Sequence, residues 1–211
     1  MIFLAFEGLD GSGKSSLMKQ LENHLSEKKI SFIMTREPGG TPIGDELRAL
    51  ILKKSDEAPT PRTELLMYEA SRAQHVDKII KPALADQKWV LCDRFSASSI
   101  AFQAGGRQIS EKQVEWLNDF ATDSLTPDLN ILLDLTVEES QKRRQKRLDQ
   151  SGIGEDRIES ETDAFHDRVR QGFLKQSAAL PVKWLVLDAS LTPEKIFEIL
   201  MSELKVRKWL A

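Results

Sequence analysis

Short apolar runs alternate along this chain with longer stretches in which apolar residues return every third or fourth position. The first run, residues 2–6, stops at Glu7 and passes into Gly8-Leu9-Asp10-Gly11-Ser12-Gly13, the pattern of a buried strand entering a tight turn. In residues 14–28, Leu17, Leu21 and Leu25 stand four apart, the stripe of an amphipathic helix. Further strands are predicted at 31–35, 89–93, 129–133 and 184–187. Helices are predicted at 45–52, 64–80, 97–103, 111–123, 137–148, 159–178 and 193–210. Pro82 is expected to help end the second of these, and Thr192 with Pro193 opens the last. Strands that are apolar almost throughout, alternating with helices, mean βαβ units, so an α/β fold with a parallel sheet covered on both faces is expected. No repeat, low-complexity tract or long linker divides the chain. One domain is expected, with a flap near residues 143–158.

Composition narrows the class. With 211 residues, Lys+Arg 30 against Asp+Glu 33 and a net charge of -3, the chain has a sizeable core but no basic excess of the kind that binds nucleic acid polymers. The one cysteine, Cys92, rules out disulfides within the chain and Cys-rich zinc sites, and it reads as a small buried filler. No apolar run approaches the ~18 residues of a membrane span. The opening apolar run lacks a basic flank, so no signal peptide is expected and the setting is read as cytoplasmic. His24, His75 and His166 are scattered without metal-ligand spacing. The basic, aromatic tail Lys205-Val206-Arg207-Lys208-Trp209 reads as cations favoured in a helix's last turn.

The chemistry is carried by Gly8-Leu9-Asp10-Gly11-Ser12-Gly13-Lys14-Ser15, which fits G-x-x-x-x-G-K-[ST] at every fixed position, with strand before and helix after. Glycines let backbone N–H groups turn in around phosphate oxygens, and the helix adds its positive end. Lys14 would reach the β and γ phosphates, Ser15 would ligate Mg²⁺, and Ser16 extends the loop. Such a loop names a nucleoside triphosphate, not a reaction. A phosphotransferase and a nucleotide-driven switch both remain open, though the N-K-x-D segment of GTP switches and the L-S-G-G-Q of transporters are absent. Arg36, Glu37 and the Pro38-Gly39-Gly40 turn, together with Asp93 and Arg94, stand at predicted strand ends, on the edge where open parallel sheets bind ligands. There an acidic residue can hold Mg²⁺ and an arginine can clamp a phosphate, or the two can form an ordinary ion pair.

Taken together, Gly8 to Ser16, Thr35-Arg36-Glu37-Pro38-Gly39-Gly40-Thr41, Leu65-Leu66-Met67-Tyr68-Glu69-Ala70-Ser71-Arg72, and Asp93-Arg94-Phe95 with Ser98-Ser99-Ile100-Ala101-Phe102-Gln103 resemble the bacterial thymidylate kinases. The motifs stand in the family's order, and Asp156-Arg157-Ile158-Glu159 extends the match. The resemblance implies a three-layer P-loop NTPase fold with strand order 2-3-1-4-5, and phosphoryl transfer from ATP, with Mg²⁺, to dTMP. It also implies a homodimer, through helices such as 64–80 and 111–123. A phosphate acceptor is already anionic, so such a site needs cations and orientation rather than a general base. Other nucleoside monophosphate kinases share these parts, and an ATP-binding regulatory protein is the alternative from another class.

The resemblance also implies roles. Asp10 contacts the acceptor's 3′-hydroxyl, Tyr68 stacks on thymine, and Arg72 bonds a thymine carbonyl, with Ser98, Ser99 and Gln103 around the base. Arg36, Arg48 and Arg94 hold the acceptor phosphate. Asp93 and Glu37 stand near metal and acceptor, and Asp188-Ala189-Ser190 is the segment beside adenine. Two positions depart from the family. Phe102 replaces the usual Tyr, so deoxyribose preference is expected to weaken or to depend on shape alone, and Gly11 replaces the arginine that some members carry in the loop. The lid is therefore expected to supply the catalytic cation, from Arg147 or Arg157, with Arg157 preferred. Lys142, Arg143, Arg144 and Lys146 are expected to be mostly a solvated face.

Overall fold

The computed structural model describes residues 1–152 and 154–210; Ile153, inside the expected flap, lies outside the described residues. Strands β1 (Phe3–Glu7), β2 (Phe32–Arg36), β3 (Trp89–Asp93), β4 (Leu129–Asp134) and β5 (Trp184–Asp188) form a parallel sheet in the order β2-β3-β1-β4-β5. The order is the expected one. Register places Phe6 beside both Asp93 and Ile131, so the carboxyl ends of β1 and β3 lie together. From β1 the chain crosses to β2 on one side, and from β3 it crosses to β4 on the other, which makes this edge the switch point where a crevice opens.

Alternate strand residues build two cores. Leu4 and Phe6, with Leu91, Ile131 and Leu133, pack on α1 (Lys14–Glu27) and the C-terminal helix. Phe3, Ala5, Val90 and Cys92 face the other way, against Val76, Ile80 and Phe95. A further cluster joins Leu132 and Phe102 to Phe165, Val169 and Phe173. The layers are therefore helix, sheet, helix.

The remaining helices are α2 (Pro42–Leu52), α3 (Pro61–His75), α4 (Lys81–Ala85), α5 (Ser96–Ser99), α6 (Glu111–Thr122), α7 (Val137–Ser151), α8 (Asp163–Ala179) and α9 (Pro193–Val206). Pro82 does not end its helix. A wider π turn over Val76–Ile80, where the Lys81 N–H donates to the Val76 carbonyl, leads into α4, and Pro82 falls in that helix's first turn, where an N–H is dispensable. A second π segment, Ile100–Gly106, carries α5 onward past the predicted end at Gln103. Helix α2 begins earlier than its apolar pattern suggests, because Thr41 caps it through the Gly44 N–H and Pro42 occupies the first turn. Helix α8 begins later, at the Thr162 cap. The basic tail folds back: Arg207 bonds Glu203 and the Val182 carbonyl and covers the Trp209 ring.

Candidate functional site

Between β1 and α1 the chain turns tightly. Gly8, Gly11 and Gly13 all have positive φ, and a side chain at Gly8 would stand 2.5 Å from the Leu133 carbonyl oxygen. Only glycine fits there. Lys14 is buried, and its ammonium donates to the Gly8 and Leu9 carbonyls at 3.2 Å. Burial and the neighbouring Arg94 charge lower its pKa. Ser12 is also buried, with a hydroxyl that has no partner, while Ser15 and Ser16 are exposed at the start of α1. Arg143 lies across the turn, donating to the Gly11 and Ala189 carbonyls. The Ser140 hydroxyl holds the Asp10 carbonyl at 2.7 Å.

The residues expected around the acceptor adjoin this loop. Arg94 sits at φ 69, a left-handed conformation uncommon for a side-chain-bearing residue. Its backbone is held by the Phe6 carbonyl, its guanidinium reaches Asp10 at 2.8 Å, and its Cζ lies 4.9 Å above the Phe102 ring. Burial works against both charges, but mutual attraction prevails, so the Asp10 carboxyl is held far below the usual carboxylate range. Just before Arg94, Asp93 Oδ1 is buried and has no hydrogen-bond partner. A cleft opens beside these groups, lined by Asp10, Glu37, Pro38, Arg48, Leu52, Tyr68, Arg94, Ser98, Ser99, Phe102, Gln103, Asp156 and Ile158.

The structure therefore brings most of the expected acceptor residues to one cleft, and two, Arg72 and Arg36, lie outside its lining. Arg72 is only 1% exposed and lies behind the lining, where it donates to Glu37, Glu69, Ser99, Asn118 and the Phe95 carbonyl. Arg36 is exposed and paired loosely with Asp45 at 3.4 Å, whereas Arg48 braces the Pro38 carbonyl and lines the cleft. Arg157, expected at the transferred phosphoryl, is tied to the Ile51 carbonyl and to Glu64. Arg147 pairs with Glu159 at 2.8 Å, and the charge of Asp10 in the phosphate loop is felt there. Of the cations read as a solvated face, Arg143 and Arg144 instead pack on the Gly11 turn, and Arg144 is 4% exposed.

Two carboxylates escaped the sequence reading. Glu7 is fully buried, accepting from the Phe95 N–H at 2.9 Å and the Ser98 hydroxyl at 2.6 Å. A charge closing an apolar strand directly before the loop's first glycine was the signal available. Glu64, also fully buried, accepts from Gln103, Arg107 and Arg157. Its only trace was its place one helical turn before Tyr68.

A parallel sheet of this order, a phosphate-binding loop after β1 and an arginine-lined cleft beside it define a P-loop kinase fold. The thymidylate kinase family model matches residues 6–199, and the chain belongs to that family. It is 62% identical to the thymidylate kinase of Bdellovibrio bacteriovorus over 208 residues, covering 99% of this chain and 97% of that protein. It is 47% identical to that of Geotalea uraniireducens over 189 residues, 89% of each chain. A Nostoc thymidylate kinase is 44% identical over 211 residues, 99% of this chain and 98% of its own.

Proposed function

We propose that this protein transfers the γ-phosphoryl group of ATP to dTMP, giving ADP and dTDP. The observation that carries this reading is the junction of the two half-sites: the phosphate loop and the acceptor cleft share the Asp10–Arg94 ion pair. In the proposed reaction an oxygen of the acceptor phosphate forms a bond to Pγ as the bond from Pγ to the β–γ bridging oxygen breaks. That oxygen is already anionic, so no base is required. What the chain must supply is positive charge and alignment. Lys14 and the backbone of Gly8 to Ser16 would hold the donor phosphates. Arg94, with Arg48 and Arg36, would hold the acceptor phosphate, and Asp10 the sugar hydroxyl. Tyr68, Ser98, Ser99 and Gln103 would border the base, with Arg72 and Glu37 as the braced wall behind them.

The residues suit Mg²⁺. Asp93 Oδ1 is a buried carboxylate oxygen without a partner, and the Ser15 hydroxyl opens α1. Among the described residues no cluster of three or more His, Cys, Asp or Glu could hold a metal, which fits an ion held largely by substrate phosphates. Ser15 and Asp93 would hold it, directly or through water, and when bound it neutralises phosphate oxygens.

We assign residues 143–158 to a lid on a single domain. Of its arginines, Arg147 is the one we propose for the transferred phosphoryl group, because the observed contacts give Arg157 an anchoring task. The homodimer we propose uses α3 and α6, where Leu66, Trp116 and Phe120 are exposed and the last two rings stack 6.1 Å apart. No helix among the described residues is long and apolar enough to cross a membrane, and Cys92 is a free, buried thiol. A cytoplasmic setting accords with both.

The test is an ADP-release assay with ATP and dTMP, dUMP, dCMP, UMP or dGMP as acceptor. Preferred turnover of dTMP is expected. Preference for another nucleotide would make this a different monophosphate kinase, and ATP binding without turnover of any acceptor would leave a regulatory protein.

A further inference from the structure

At the base of the cleft, Gln103 is 1% exposed, and its side-chain nitrogen donates to Glu64 Oε1 at 3.0 Å. Glu64 is not part of the cleft lining; it lies one turn before Tyr68 on α3. Its carboxylate is enclosed by donors. Arg107 Nε reaches Oε1 at 3.0 Å, while Arg107 Nη2 at 2.9 Å and Arg157 Nη2 at 2.7 Å reach Oε2. Burial opposes the ionised form of Glu64, but the hydrogen bonds and charge of Arg107 outweigh it and hold the carboxyl below its ordinary value. An ionised carboxylate only accepts and a guanidinium only donates. The Gln103 amide can meet this cluster in one orientation alone, nitrogen towards Glu64. Its carbonyl oxygen, which accepts no bond from a described residue, is left to the cleft that Gln103 lines.

An acceptor at that place distinguishes pyrimidines. A 2,4-dioxopyrimidine carries a proton on the ring nitrogen between its carbonyls and can donate to Gln103. A 4-amino-2-oxopyrimidine has a bare lone pair there, and two acceptors would face each other. Leaving a buried polar group unpaired is what makes hydrogen-bonding sites selective.

We infer that Glu64 is a positioning residue for base selection: its carboxylate fixes the Gln103 amide with the oxygen towards the cleft, so that the site favours a pyrimidine with a protonated ring nitrogen. The inference rests on the thymidylate kinase reading, in which Gln103 borders the base, and adds a residue that touches no substrate. The same carboxylate binds Arg157, so one buried group ties the start of α3, the π segment bearing Gln103 and the lid's far end.

The experiment measures kcat/KM for dTMP and dCMP, and KM for ATP, in the wild type, Glu64→Gln and Gln103→Leu. In Glu64→Gln an amide nitrogen faces a donor on one side or the other, and Gln103 loses its reason to keep one orientation. The dTMP-to-dCMP ratio should fall at least about tenfold, the scale of one misplaced hydrogen bond, while KM for ATP holds. Gln103→Leu should lower the ratio as well. An unchanged ratio in Glu64→Gln with a lowered one in Gln103→Leu overturns the role of Glu64 alone. An unchanged ratio in both overturns the placement of the base at Gln103, and the inference with it. If Glu64→Gln does not fold, Glu64→Asp keeps the charge but withdraws the carboxylate by one methylene; a lowered ratio then supports the inference and an unchanged one overturns it.

Discussion

Arg94 Nη2 stands 2.8 Å from Asp10 Oδ1, so a residue of the phosphate loop and the arginine after β3 act as one pair across the junction of two sites. Arg94 cannot be exchanged for lysine without losing the planar fork that meets Asp10 with its Cζ 4.9 Å from the centre of the Phe102 ring. Arg94→Ala is expected to lower kcat/KM for dTMP by about 10²–10³-fold, the usual cost of removing one fixed charge from a transition state. Binding of a fluorescent ATP analogue should be little changed. Equal losses on both substrates would move Arg94 from the acceptor to general support of the loop.

The lid arginines separate by their partners. Arg157 holds the Ile51 carbonyl and Glu64, whereas Arg147 sits in the C-terminal half of α7, paired with Glu159. Arg147→Ala should lower kcat by about 10–10³-fold at saturating dTMP. Arg157→Ala should lower the melting temperature and raise KM for dTMP, with kcat kept within severalfold. Steady-state kinetics on both variants decide the assignment, and a collapse of kcat in Arg157→Ala alone would reverse it.

Phe102 is 6% exposed, packed between Arg94 and the rings of Phe165, tilted to it by 56°, and Phe173, nearly perpendicular at 80°. The ring thus serves as a seat for Arg94, the arginine proposed for the acceptor phosphate, besides any steric task proposed near the sugar. Phe102→Leu should raise KM for dTMP by about 3–30-fold, the loss of a partly desolvated cation–π contact of roughly 1–2 kcal/mol. Phe102→Tyr should sharpen discrimination between dTMP and its ribose counterpart. Equal discrimination in Phe102 and Tyr forms would show that the hydroxyl plays no part.

Glu7 supplies a pH dependence. Burial pushes its pKa from 4.5 up to about 7, against the pull of Ser98, Arg94, the Phe95 N–H and Lys14. The folded state therefore prefers the protonated form. Its contribution to stability is full below about pH 4.5 and is lost as pH rises through 7, a change on the order of 3 kcal/mol at most. Glu7→Gln imitates the neutral acid, donating to Ser98 while accepting from Phe95. Its melting temperature relative to the wild type should be higher at pH 8 than at pH 5. A difference independent of pH would show that Glu7 is ionised throughout.

Trp116 is 66% and Phe120 76% exposed on α6, and Leu66 is 56% exposed on α3. Trp116→Glu should convert a dimer to a monomer in sedimentation velocity at micromolar concentration. A wild type that sediments as a monomer would remove the dimer proposal.

Local pattern carried far in this molecule. Apolar runs too short for anything but buried strands, spaced by amphipathic stretches, fix an α/β fold, because side chains alternate across a strand and recur every 3.6 residues on a helix. The phosphate loop was legible for the same reason: its glycines and Lys14 act through backbone geometry within eight consecutive residues. Pro82 and the two π segments were misjudged or missed, since a π turn changes hydrogen-bond spacing without changing the apolar pattern.

Tertiary structure alone decided which polar groups meet. Arg72 and Arg94 look alike in sequence, yet one is enclosed by five acceptors and the other lines the cleft. Arg157 and Glu64 are 93 positions apart, and Glu7 and Ser98 are 91. Hydrogen bonds and ion pairs act over a few ångströms, and no periodicity along the chain records which distant donor and acceptor will share a buried site. The sequence by itself determined the fold, the phosphate loop and the family. Folding determined which arginine lines the cleft, which is enclosed behind it, and which carboxylate holds the Gln103 amide.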